Sequence, residues 1–96
     1  MESLRQWVQW IDVVPYEIVE KSRRKIKIVV FIGGIKESSL KVIAKTKRLY
    51  VYAKDPVDDR CLFCSITLGF KPKRLSYIYR NGILTIIVER KLLFIL

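Results

Sequence analysis

The chain of 96 residues is 51% hydrophobic and 29% charged, which indicates one globular domain and excludes wholesale disorder. With 19 Lys and Arg, nine Asp and Glu and no histidine, it carries a formal net charge of +10. This excess of positive charge either favours binding of an acidic partner, or it only keeps the protein soluble and prevents stray pairing at the strand edges. Its longest apolar stretch, Ile28 to Ile35, is far shorter than the roughly 20 residues that cross a bilayer, so we expect no transmembrane segment. The sequence also begins without a secretory signal, and we therefore expect a cytoplasmic protein.

Residues 2–11 are the one candidate helix. Their apolar side chains follow the i, i+3, i+4, i+7 spacing of a single helical face: Leu4, Trp7, Val8 and Ile11. A helix of this length is marginal alone and needs a surface on which to dock. We therefore assign residues 1–13 to a short N-terminal amphipathic segment that contains a short helix and ends before Pro15.

Beyond this segment the sequence alternates apolar and polar residues with a period of two, which is typical of strands. The alternation predicts about seven strands, at residues 16–20, 26–32, 40–45, 49–54, 64–68, 75–79 and 83–88. Turn signals separate them, above all Gly33-Gly34, the loop at 55–59 and Asn81-Gly82, the strongest short hairpin signal. So many short strands in so few residues indicate an all-β antiparallel sandwich, which we place at residues 14–91.

The polar residues of the sequence do not include a recognisable catalytic set. Cys61 and Cys64 are the two cysteines, but there is no histidine and no second pair to complete a zinc site. Residues three apart on a strand point to opposite faces, so a disulfide between them is unfavourable and we expect reduced thiols. Asp58 and Asp59 have no partner base. We therefore predict no enzyme, no catalytic residue, no metal site and no cofactor.

The order of motifs resembles the Hsp20/α-crystallin domain of small heat shock proteins, and the resemblance covers residues 14–91. The motifs that carry it are Gly33-Gly34 followed by Leu40-Lys41-Val42, then Leu49-Tyr50-Val51-Tyr52-Ala53, Ser65-Ile66-Thr67-Leu68 and Asn81-Gly82-Ile83-Leu84. The last of these is the most specific. The resemblance implies an immunoglobulin-like antiparallel β-sandwich of about seven strands.

Several positions depart from the pattern of this family. Gly33 and Gly69 replace the usual prolines, Cys64 stands where the family has an arginine near its dimer contact, and Tyr77 replaces a small alanine. The loop at 54–60 is too short for the strand that many prokaryotic members exchange between partners. These departures bring the chain closer to the related p23/CS co-chaperone domains.

In the family that the chain resembles, two strand edges form an apolar groove that accepts an Ile-x-Ile tail by strand addition. The corresponding residues here are Leu40, Val42, Ala44, Leu75, Tyr77 and Tyr79. They either form such a groove or simply fill the core, and Tyr77 could plug the groove from within.

Residues 92–96 form an apolar C-terminal tail without a polar side chain, which we expect to be buried. Leu93 and Ile95 are spaced by two, like the tail motif of the family. The tail either docks on its own domain or binds the groove of a neighbouring copy, which would make a homo-oligomer.

Alternate turns of an up-and-down antiparallel run fall at the same end of the sandwich. This places a basic pole at one end: Arg23, Arg24, Lys25, Lys45, Lys47, Arg48, Lys71, Lys73 and Arg74. These basic residues are either ordinary solvent-exposed side chains in turns, or they form a binding surface for an acidic protein, an anionic membrane or nucleic acid. For base stacking the sequence offers only Tyr50 and Tyr52, on one flank.

The resemblance implies a chaperone domain that binds partly unfolded proteins without ATP. A p23/CS-like adaptor that docks on a larger partner is the first alternative. A basic nucleic-acid-binding domain is the second.

Overall fold

The computed structural model describes residues 11–57 and 60–90. In chain order the strands are β1 (Ile11–Val13), β2 (Tyr16–Lys21), β3 (Lys25–Phe31), β4 (Lys41–Lys45), β5 (Arg48–Lys54), β6 (Cys61–Thr67), β7 (Pro72–Arg80) and β8 (Ile83–Arg90), with a 3₁₀ turn at Glu37–Ser39 before β4. The predicted all-β sandwich is confirmed, with eight strands where about seven were expected.

The strand that the sequence analysis missed is β1. The predicted helix at residues 2–11 lies outside the described residues except for Ile11, and there it is wrong, because Ile11 begins a strand. Ile11–Val13 pair in parallel with β6, and the Val14 N–H donates a 2.9 Å bond to the Phe63 carbonyl. At Ile11, pairing with a distant strand takes precedence over the helical spacing, and the rest of the predicted helix stays a prediction. The tail at 92–96 lies outside the described residues.

The strands form two sheets of four. Sheet A has the order β1-β6-β5-β4, and sheet B has the order β2-β3-β8-β7. Every pairing except β1 with β6 is antiparallel. The chain passes from sheet A to sheet B at residues 14–15, where Val14 bonds to β6 and the Pro15 carbonyl accepts a 3.0 Å bond from the Phe31 N–H.

The core lies between the sheets and follows the period-two pattern. Buried apolar residues alternate along β3, β5, β6 and β8, and no polar or charged residue of the described chain is buried with them. The core residues are Ile26, Ile28, Val30, Ile32, Leu49, Val51, Ala53, Cys64, Ile66, Leu68, Leu84, Ile86 and Val88. No helix in the described ranges is long and apolar enough to cross a membrane.

The β7–β8 turn forms at Asn81-Gly82, as the sequence predicts. Both residues have positive φ, 52° and 78°, the combination required by a tight two-residue hairpin turn. A Cβ at Gly82 would lie 3.2 Å from the Gly33 Cα. Glycine therefore lets the turn lie close to the end of β3, where the Ile32 N–H donates a 3.0 Å bond to the Gly82 carbonyl.

Candidate functional site

The two edge strands β4 and β7 border the same side of the sandwich. Each lies last in its sheet, and the opposite side is marked by β1 and β2, which are joined by residues 14–15. Within the described chain, β4 pairs only with β5, and β7 pairs only with β8. One border of each strand therefore presents unpaired backbone N–H and C=O groups.

The inner face of β4 is not covered at this border. Val42 pairs with Val51 and Ala44 pairs with Leu49, so these four side chains share the face that points into the sandwich. Leu49 and Val51 are 0% exposed, whereas Val42 is half-buried and Ala44 is exposed. The inward side chains of β5 are therefore buried, whereas those of β4 remain accessible to solvent.

Side-chain exposure on the inner face also increases from β8 to the edge strand β7. Tyr77 pairs with Ile86, which is 0% exposed, yet Tyr77 itself is 45% exposed. The other two inward positions, Leu75 and Tyr79, are half-buried, and the Tyr79 hydroxyl donates a 2.9 Å bond to the Ile32 carbonyl. This bond holds the Tyr79 ring over the end of β3.

The six residues predicted for the groove thus lie along one border of the sandwich. Four of them, Leu40, Val42, Leu75 and Tyr79, also pack against the core. These four residues contribute to the core, while Ala44 and Tyr77 are exposed. Nearly half of the Tyr77 surface is exposed at this border, and its role as a plug of the groove stays a prediction. Binding at this border stays a prediction.

A second open border, which the sequence analysis missed, runs along β2. Tyr16 pairs with Val30 and Ile18 pairs with Ile28, so both point inward, but they are 42% and 44% exposed. Val19, at the register shift between Ile18 and Glu20, is 48% exposed. The alternation was visible in the sequence, but only the topology shows that β2 is an edge.

The nine residues of the basic pole lie at one end of the sandwich. The β2–β3 turn and the start of β7 both lie beside the end of β8. Lys25 pairs with Glu89 of β8 on one side, and Arg74 of β7 pairs with Glu89 on the other. The β4–β5 turn reaches the same end, since the Lys47 carbonyl accepts a 2.8 Å bond from the N–H of Leu68, in the connection between β6 and β7. All nine are exposed. Their role as an anion-binding surface stays a prediction.

The cysteines are free thiols. Cys64 lies in the core, whereas Cys61, three residues earlier on β6, is half-buried on the other face. Burial raises the pKa of the Cys64 thiol and so favours its protonated form. Residues 11–57 and 60–90 contain no cluster of three His, Cys, Asp or Glu side chains that could hold a metal ion.

Comparison with solved structures finds several with a similar fold. The chain is similar to heat shock protein 16.0 from Schizosaccharomyces pombe, with a TM-score of 0.74 and 13% identity, over 94% of this chain and 82% of that chain. It is similar to a mutant of hsp14.1 from Sulfolobus solfataricus, with a TM-score of 0.71 and 18% identity, over 88% of this chain and 76% of that one. It is also similar to HSP18.5 from E. histolytica, with a TM-score of 0.68 and 14% identity, over 82% and 88% of the two chains.

No protein-family model matches the sequence, and no curated protein is significantly similar to it. At the identities found, the structural likeness shows a shared fold.

Proposed function

We propose that this chain, whose fold is that of the Hsp20/α-crystallin domain, holds partly unfolded proteins without ATP. The observation that carries the proposal is the open border between β4 and β7, where the inward-facing Ala44 and Tyr77 are exposed while their cross-strand partners are buried. A protein that keeps apolar core positions accessible has a surface suited to apolar segments of other chains.

Binding at this border would use backbone and side chains together. An extended client segment can add to the free edge of β4 or β7 and satisfy its unpaired N–H and C=O groups. Alternate side chains of that segment would then point between the sheets, toward Val42 and Leu75. Burying each large apolar side chain there contributes about 1.5–3 kcal/mol. The net charge of +10 would keep the complex soluble.

A co-chaperone adaptor is the second candidate function, and two observations favour it. The connection from β5 to β6 contains only residues 55–60, which leaves no room for a strand to exchange with a partner. In addition, β1 pairs with β6 and covers that edge of sheet A. Both features suit a chain that acts as a monomer docked on a larger protein.

Light scattering with a heat-aggregating client distinguishes the two functions. We expect the chain to suppress client aggregation at near-stoichiometric amounts and without ATP, because each groove holds one apolar segment. An unrelated β-sandwich of similar positive charge serves as the control for a purely electrostatic effect. Aggregation that proceeds unchanged would contradict the holding function and leave the adaptor as the better candidate.

A second prediction concerns the tail, which lies outside the described residues. We propose that Leu93 and Ile95 bind the groove of a neighbouring copy and make a homo-oligomer. Deleting residues 92–96, or changing both Leu93 and Ile95 to serine, should then lower the native mass measured by size exclusion with mass detection. The matched control changes Leu92 and Phe94 to serine, at the alternate positions. An unchanged mass after the deletion would rule the idea out.

A further inference from the structure

The outer face of sheet A carries a platform of three aromatic rings. Tyr50 and Tyr52 point away from the core on β5, because Leu49 and Val51 point into it. Phe63 lies opposite Tyr52 on β6. The Phe63 ring centroid is 5.1 Å from that of Tyr52 and 6.3 Å from that of Tyr50, and the Tyr50 and Phe63 planes are inclined by 26°. The three half-buried rings therefore form one continuous patch across two strands.

Exposed apolar groups extend this patch on both sides. Ile43, which pairs with Tyr50 from β4, is 45% exposed, and Val13, which pairs with Phe63 from β1, is 77% exposed. Beside the rings lies an open depression of about 600 Å³. Its lining residues are Ser39, Lys41, Ile43, Tyr52, Ala53, Lys54 and Cys61.

The charged residues at outward strand positions of sheet A are all cations. The strand register places Lys41, Lys45, Arg48 and Lys54 on the same face as the rings. No carboxylate occupies an outward position of β1, β4, β5 or β6, since Asp12 pairs with the inward Leu62. The Arg48 guanidinium donates a 3.3 Å bond to the Ser65 hydroxyl, which holds it near the platform.

The outer face of sheet B has a different character. Three carboxylates occupy its outward positions, Glu17, Glu20 and Glu89, each opposite an outward residue of β3. One of them, Glu89, lies 3.6 Å from the Arg74 guanidinium. The concentration of rings and unopposed cations is therefore specific to sheet A within the described chain.

We propose that the outer face of sheet A binds single-stranded nucleic acid. Bases stack on Tyr50, Tyr52 and Phe63, and the backbone phosphates contact the lysines and the arginine at the rim. Every base has a flat π face, so a ring platform accepts a single strand with little regard to sequence. The rim cations supply the salt-dependent part of the affinity. This surface is separate from the β4–β7 border, and the proposal does not rest on client holding.

The test uses the full chain and a fluorescent oligothymidylate of about 15 nucleotides, with the matching oligouridylate and a duplex as competitors. Anisotropy titrations between about 50 and 200 mM salt give the affinity and its salt dependence. We expect both single strands to bind and the duplex to compete weakly, because its bases are already stacked. Changing Tyr50 and Tyr52 together to leucine, which keeps the positions apolar, should weaken binding about tenfold or more.

A charge-matched pair of variants locates the phosphate contacts. Changing Lys41 and Lys54 to glutamine should reduce the slope of log affinity against log salt by about 1.4, since each phosphate contact to a single strand contributes about 0.7. Changing Lys27 and Arg80 to glutamine removes the same charge from the outer face of sheet B and should leave most of the slope unchanged.

Four results would overturn the proposal. The first is no binding by the unmodified chain at low salt. The second is equal loss in the two charge-matched variants, which would mean that only net charge matters. The third is undiminished binding by the double tyrosine variant. The fourth is equally tight binding of the duplex, or of polyglutamate added as a polyanion competitor. Thermal unfolding of every variant shows whether it is folded at the temperature of the titration.

Discussion

Replacing Ile86 with alanine is expected to lower the free energy of unfolding by about 2–5 kcal/mol. Ile86 is 0% exposed and lies on β8 between Ile28 of β3 and Tyr77 of β7. The variant loses buried apolar surface and leaves a cavity between strands that cannot readily close it. Because small domains are stable by only about 5–15 kcal/mol, this is a large share of the total. Chemical denaturation followed by circular dichroism measures the change.

The matched control is Ile78→Ala on the neighbouring strand β7. Ile78 is 67% exposed on the outer face of sheet B, so the same truncation removes little buried surface there. We expect its effect to stay within about 0.5 kcal/mol, as for most surface substitutions. Equal losses at the two positions would contradict the assignment of inner and outer faces on which the site depends.

The fold was largely predictable because apolar residues alternate clearly along the strands. In β3, Ile26, Ile28 and Val30 are the buried positions and Lys27 lies between them, as the period of two requires. The fold implied by the resemblance to the Hsp20/α-crystallin domain, which was drawn from the order of short motifs, is confirmed by the structural comparisons.

The strand β1 was not predictable in the same way. Its first residue, Ile11, also completes the helical spacing of the segment before it, and nothing local distinguishes a helix end from a short strand. Its place is decided by pairing with β6, a strand about 50 residues further along the chain. Contacts of this separation leave no trace in a local pattern.

The surfaces were predictable only in part, for a related reason. Alternation shows that Ala44 and Tyr77 point inward, but their exposure depends on which strands lie at the edges. The same holds for Tyr16 on β2. Phe63 had no visible role in the sequence, because its stacking on Tyr50 and Tyr52 results from the register between β5 and β6.

The chain covers some of its strand edges and leaves others open. The β6 edge is paired with β1, whereas the described chain leaves the outer borders of β2, β4 and β7 without a partner strand. Open edges favour aggregation unless charges oppose it. On β4 the end residues Lys41 and Lys45 supply such charges, but Val42 and Ala44 between them face inward and remain accessible. The accessible inward residues allow a further strand to pair with β4, while the flanking lysines disfavour uncontrolled edge-to-edge aggregation of copies of the chain.

Filling this border should weaken client binding, which makes Ala44→Trp the sharpest test of the proposed function. Ala44 is exposed although it faces inward, so an indole there occupies the space that a client side chain would enter. We expect at least about tenfold more protein to be needed for the same suppression of client aggregation, equivalent to about 1.4 kcal/mol of binding free energy. The tail-dependent native mass should fall in the same variant if the tail uses this groove.

The neighbouring Ile43→Trp variant provides the control, because it places the same ring on the same strand but on the outer face of sheet A. It should retain client binding, and its thermal unfolding should resemble that of Ala44→Trp, so that any difference in activity reflects the face and not the stability. Full activity in Ala44→Trp would mean that clients bind elsewhere, and the border along β2, with its exposed Tyr16 and Ile18, would then be the next surface to block. Since the two borders lie on opposite sides of the sandwich, one substitution at each is enough to assign the binding to one of them.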